Sequence, residues 1–103
     1  MDTPTVLDVA EWSRFEVHVD GRLAGFAQYR MSGPELIVFT HTEIDDAYEG
    51  RGLGSILIRA ALDAARSRGL AVRPDCPFVR GYIARHPEYL DLVPVDLRAR
   101  LGL

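Results

Sequence analysis

Two residues apart in a run rich in β-formers, ELIVFTHTEI, stand His41 and Glu43. A strand sets both side chains on one face, with Thr40, Thr42 and Ile44 on the other. A histidine oriented by a carboxylate is a general base near neutral pH. The same pair on the solvent side of a sheet would do no chemistry. The second candidate is Cys76, the one cysteine of the chain. It directly precedes Pro77, which suits the first position of a helix. A thiol near a helix N-terminus is favoured as thiolate, the form that accepts an acyl group covalently. Without such a role a lone cysteine is most often a small buried apolar residue.

The third feature is the stretch Tyr48 to Gly54, YEGRGLG. A P-loop needs a lysine followed by Ser or Thr after its last glycine, and this chain has no lysine. The dinucleotide pattern G-x-G-x-x-G fails too, because Ser55 or Leu57 stands where its last glycine belongs. What remains is a strand, a Gly-x-Gly loop and a helix starting at once. The first helical turn has unpaired N–H groups and the positive end of a macrodipole, so it attracts an anion. Glycines let the backbone of Arg51, Gly52, Leu53, Gly54 and Ser55 approach a pyrophosphate, and the Arg51 side chain adds a charge-assisted contact. A tight connection holding no ligand is the alternative.

The elements that must position these groups follow from periodicity. Residues 1–11 carry none and read as a loose lead-in. From Trp12 the pattern alternates, with Phe15, Val17 and Val19 on one face and Arg14, Glu16 and His18 on the other. Asp20-Gly21 is a two-residue hairpin signal. A second strand runs from Arg22 to Met31, with Leu23, Ala27, Tyr29 and Met31 on one face, and Ser32-Gly33-Pro34 turns the chain into a third strand over 35–44. The period then changes to 3.6: Leu53, Ile56, Leu57, Ala60, Ala61 and Ala64 form one helical face, and Gly69 ends the helix. A short strand at 70–73, a helix from Pro77 to Arg85 and a terminal helix after Pro94 complete an α+β chain.

Composition narrows the function. The 103 residues make one domain, 12–103 after the lead-in, and the 48% apolar fraction suits a globular fold. A net charge of −3 offers no basic field for nucleic acid. No apolar run is long enough to span a bilayer. The acidic N-terminus lacks signal-peptide character, so a reducing cytoplasm is expected. No metal enters the reading.

From Trp12 to Leu92 the chain resembles the short single-domain GNAT N-acetyltransferases, the YjdJ-type domain. IDDAYEGRGLG (Ile44 to Gly54) resembles the superfamily signature Gln/Arg-x-x-Gly-x-Gly/Ala, with Glu49, Gly52 and Gly54 at its three specified positions. RPDCPFV (Arg73 to Val79) and IARHPEY (Ile83 to Tyr89) match the branch-specific segments. The resemblance implies a trimmed GNAT-like (acyl-CoA N-acyltransferase) fold, an antiparallel β-meander followed by α-β-α, with strands 35–44 and 70–73 parallel and splayed. The cofactor implied is acetyl-CoA (coenzyme A). Its pantetheine amides would pair with backbone near Glu43 and Ile44, and its pyrophosphate would rest on Arg51 to Ser55. Transfer of the acetyl group to a small-molecule or protein amine would engage His41, Glu43 and Cys76. Tyr82 stands near where many members carry a tyrosine that protonates the departing coenzyme A. Glu49 departs from the signature, since a carboxylate facing a pyrophosphate is repelled, and it is expected to turn away. The hairpin at Asp20-Gly21 replaces the helices that shape the acceptor site in larger members. A non-catalytic coenzyme A or acyl-CoA-binding module is therefore the second reading. A chain this short is expected to be a monomer.

Overall fold

The computed structural model describes residues 3–103. Five strands form one sheet in sequence order: β1 (Thr5–Val9), β2 (Arg14–Val19), β3 (Arg22–Met31), β4 (Leu36–Ile44) and β5 (Ala71–Pro74). The first four are antiparallel neighbours, and β5 lies parallel to β4. Two helices pack on the sheet, α1 (Leu53–Ser67) and α2 (Pro77–Arg85), with a short α3 (Val95–Arg98) at the end. The α+β fold expected from the sequence is the one observed.

The expected loose lead-in is instead structured from Thr5, while Met1 and Asp2 lie outside the described residues. β1 pairs with β2 along its whole length as the sheet edge. Its inner end is tied by Asp8, which accepts from Tyr29 Oη at 2.7 Å and from Arg68 of the α1 C-terminus at 2.7 Å. Trp12 lies in the turn Ala10–Trp12 that leads to β2, rather than in the strand. The β2–β3 hairpin closes as its sequence predicts, with Asp20 and Gly21 both at positive φ (52° and 77°).

Two bulges reset which side chains face the core. Val17 pairs with Gly25 but His18 pairs with Leu23, so Ala24 is the extra residue of β3. Ala24 is buried, whereas Leu23 and Met31, expected on one face with the buried Ala27 and Tyr29, are 42% and 44% exposed. On β4, Phe39 pairs with Tyr29 and His41 with Gln28, which leaves Thr40 as the extra residue.

The buried face of α1 is Leu53, Gly54, Leu57, Ile58, Ala61, Leu62 and Ala65. It is rotated from the expected face, and Ile56 is exposed. Both candidate stripes are apolar in sequence; the sheet chooses the one carrying Ile58 and Leu62. Gly69, at φ 69°, ends the helix, with Leu70 N–H donating to Ala65 O at 2.9 Å. Phe15, Val17, Ile37, Phe39 and Val72 meet these residues and Val79 and Ile83 of α2 in one core. The C-terminal segment is clamped onto α1 by Tyr89 Oη donating to Asp63 at 2.6 Å and by the Arg66 guanidinium forked onto Asp91 at 2.8 Å. Tyr89 of the HPEY segment thus fastens the tail to α1.

Candidate active site

Gly50 and Gly52 stand at φ 81° and 72°, a region side chains disfavour, and Gly52 caps α1 in the left-handed conformation. Gly54 is required for another reason: a Cβ there would lie 2.6 Å from Cζ of Phe78. Local geometry thus accounts for all three glycines, and the ligand argument rests on what lies beside them. The α1 N-terminus has no side-chain cap and no acidic residue in its first turn. It opens into a cavity of about 370 Å³ lined by Ile44, Tyr48, Glu49, Gly50, Gly52, Leu53, Gly54, Ser55 and Phe78. Unsatisfied N–H groups at the positive end of a fifteen-residue helix, facing an open cavity, suit an anionic group. Glu49 is exposed and borders this cavity. Arg51 does not line it. Arg51 borders an adjacent cavity of about 410 Å³ with Val19, Asp20, Arg22 and Tyr48, and its guanidinium lies 5.4 Å from the Tyr48 ring. Tyr48 joins the two cavities. Phe78, Tyr48 and Arg22 escaped the sequence reading; the available signals were the tyrosine that opens the glycine element and the phenylalanine that follows Cys76-Pro77.

The second part of the site is the divergence of β4 from β5. Their pairing stops at Phe39 with Pro74, while β4 continues to Ile44. The turn that draws the chain away is held by Arg73 Nε donating to Asp75 at 2.8 Å. The Cys76 N–H donates to Phe39 O at 2.9 Å, closing the apex of the gap. Beyond the Thr40 bulge, Asp45 N–H donates to Ala24 O on β3. The Glu43 carbonyl also faces β3, since a Cβ on Gly25 would lie 2.5 Å from it. Strand alternation then turns the backbone groups of Thr42 and Ile44, not those of Glu43, toward the gap. An added strand would therefore meet the backbone of Thr42 and Ile44 rather than that of Glu43.

The bulge also carries the Thr42 side chain to the α1 side, where its Oγ1 lies 3.4 Å from Cys76 Sγ. Cys76 is 3% exposed and precedes Pro77 at the start of α2, as its sequence position predicts. His41 and Glu43 share the opposite face, with Nε2 3.6 Å from Oε2 and both side chains more than half exposed. His41 faces the Phe26 ring at 6.1 Å. On that open face Glu16 is nearly buried, accepting from Arg14 Nε at 2.7 Å and paired with His18 Nε2 at 2.9 Å. These contacts, His18 first, hold the Glu16 carboxyl below its usual range against the cost of its burial. A cavity of about 320 Å³ opens here, bordered by Phe26, Glu43, Asp45 and Asp46.

β4 thus separates the histidine–glutamate pair from the cysteine, so the structure does not gather the expected residues on one face. Tyr82 stands apart from both. It is buried in α2, stacked on His86 at 3.9 Å between centroids, and His86 Nδ1–H donates to the Tyr82 carbonyl at 2.8 Å. Burial raises its phenol pKa, and the charges acting on it are Arg59, Glu88, Asp63 and Arg85 rather than the β4 pair.

A family model described as GCN5-related N-acetyl-transferase matches residues 14–92. Protein NATD1 of Gallus gallus is 34% identical over 65 residues, covering 61% of this chain and 59% of that protein. The chain thus spans about three fifths of the length of the curated relatives it matches. A GCN5-like protein from Staphylococcus aureus superposes with a TM-score of 0.63 at 23% identity, over 80% of this chain and 81% of the other. The ribosomal-protein-alanine N-acetyltransferase of Brucella melitensis gives 0.58 at 16% identity, over 91% and 92%. At these identities the two solved structures bear on the fold alone.

Proposed function

Since the chain belongs to the GCN5-related N-acetyltransferase family, we propose that it transfers the acetyl group of acetyl-CoA to an amine, with Cys76 as the covalent carrier. The observation that carries this reading is the uncapped start of α1 opening into a cavity that borders Ile44, where the departure of β5 frees one edge of β4. The N–H groups of Leu53, Gly54 and Ser55 suit the pyrophosphate. The backbone groups of Thr42 and Ile44 suit the pantetheine amides, as an added strand would. Phe78 and Tyr48 supply apolar walls. Arg51, with Arg22 beside it, serves a neighbouring anionic group of coenzyme A rather than the same phosphates.

Acetyl-CoA supplies an acetyl group activated as a thioester. Cys76 Sγ bonds to the acetyl carbon as the bond from that carbon to the coenzyme A sulfur breaks. The departing sulfur takes up the thiol proton. The acceptor amine then displaces Sγ from the acetyl carbon, and the amine proton passes to the released sulfur; His41 and Glu43, on the opposite face of β4, stand outside this step. Amines are cationic in water near neutral pH, and Glu43, Asp45 and Asp46 give the outer cavity a matching charge. Tyr82 is left outside this scheme by its position.

The test is incubation with acetyl-CoA, intact-mass measurement and turnover against a panel of small amines and peptides. One acetyl group on the native protein, absent in Cys76→Ala, is the expected result. No adduct and no turnover, with coenzyme A still bound, would leave the non-catalytic binding module as the correct description.

A further inference from the structure

We propose that Thr42 is a positioning residue for the Cys76 thiol, holding the sulfur at the gap and donating a hydrogen bond to it once the proton is lost. The inference rests on the reading of the gap as an acyl-transfer site. Cys76 is 3% exposed, and a charged sulfur so withdrawn from water requires a donor. Its own N–H is committed to Phe39 O, and the start of α2 brings no side-chain cap. Thr42 Oγ1, 3.4 Å from Sγ, is the side-chain group in place to serve. As drawn, either atom donates; against a thiolate only the hydroxyl does.

Thr42 reaches this position through tertiary structure. By simple alternation from Phe39, Thr42 would share the face of Thr40 and not that of Phe39. The extra residue at Thr40 returns it to the core side, opposite Ala27. A β-branched side chain on a strand is stiff at χ1, so the hydroxyl is held rather than sampled. In the acyl transfer the Thr42 hydroxyl keeps its proton. The bond from Sγ to the acetyl carbon forms as the carbon–sulfur bond of coenzyme A breaks, and no oxidant or reductant is involved.

Thr42→Val keeps the shape and removes the donor, and Thr42→Ser restores the donor in a smaller side chain. Iodoacetamide reacts with the charged sulfur, which the hydroxyl stabilises. The rate of Cys76 alkylation by iodoacetamide, followed by intact mass at neutral pH, is therefore expected to fall about threefold in Thr42→Val. It should recover in Thr42→Ser. Equal rates for Thr42→Val and native protein would overturn the proposal. So would a Thr42→Ser protein as slow as Thr42→Val, which would assign the effect to the lost methyl packing. Alkylation reads the thiol whether or not acetyl transfer occurs. Slowed alkylation without acetylation of Cys76 by acetyl-CoA would uphold Thr42 and sink the covalent route; acetylation with alkylation insensitive to Thr42 would do the reverse.

Discussion

A Cβ added at residue 54 would lie 2.6 Å from Phe78 Cζ, and 3.2 and 3.3 Å from the adjoining ring atoms. Carbon atoms rest at about 3.5–4.0 Å, so the ring must move by about an ångström. Phe78 is 41% exposed, so it has room to swing outward. Gly54→Ala therefore loses about 1–2 kcal/mol in displaced packing. Alanine in a helix regains about 0.5–1 kcal/mol over glycine. The net loss is about 1 kcal/mol, or roughly 4–8 °C in Tm for a domain of this size. In a Phe78→Ala background the obstruction is gone, and Gly54→Ala should stabilise by about 0.5–1 kcal/mol. Urea unfolding of the four proteins closes the cycle, with a coupling of about 1–2 kcal/mol. Because the displaced ring lines the cavity at the α1 N-terminus, coenzyme A affinity by calorimetry should also fall in Gly54→Ala. Equal costs of Gly54→Ala in both backgrounds would show that the glycine answers to something other than the ring.

Two further predictions concern pH. Tyr29 and Tyr89 are held protonated by burial and by donating to Asp8 and Asp63, and both are pushed up to about 12 from 10.0. With folded values raised, their stability contribution is complete below about pH 10 and declines as pH rises toward 12. Unfolding free energy should drop over that window, and less steeply in Tyr89→Phe; a flat profile in the native protein would contradict it. Glu16 is displaced in the other direction, its carboxyl lowered from 4.5 by His18 and Arg14. Its contribution is present above pH 4.5 and lost as pH falls through the lowered value. Glu16→Gln should cost about 1–2 kcal/mol at pH 7, and urea titrations should show that gap closing under acid conditions; a gap independent of pH would exclude the ionic account.

Much of this architecture is written in local pattern. Asp20-Gly21 sets a hairpin because both positions need positive φ, and the strand that follows has its expected limits, Arg22–Met31. Pro77 opens α2 and His86-Pro87 ends it, so that helix too is legible at both boundaries. Cys76 before Pro77 and the glycine loop before α1 are placed by these same signals. The α1 face was not, because two adjacent apolar stripes compete and only contact with the sheet selects Ile58 and Leu62 over Ile56. β1 was missed for a related reason: an edge strand, half-exposed and paired on one side, has weak alternation of its own and is defined by β2. The bulges matter most for the site. Counting by twos along β4 places Thr42 opposite Phe39, and one extra residue at Thr40 reverses that parity. The inserted residue is visible only in the register with β3. Residue type and local spacing alone put a histidine and a glutamate on one face of a strand ahead of the glycine loop, and a cysteine at the start of a helix. The pairing of β4 with β3, and its loss of β5 beyond Phe39, decided that the cysteine meets Thr42 in the gap while His41 and Glu43 face outward.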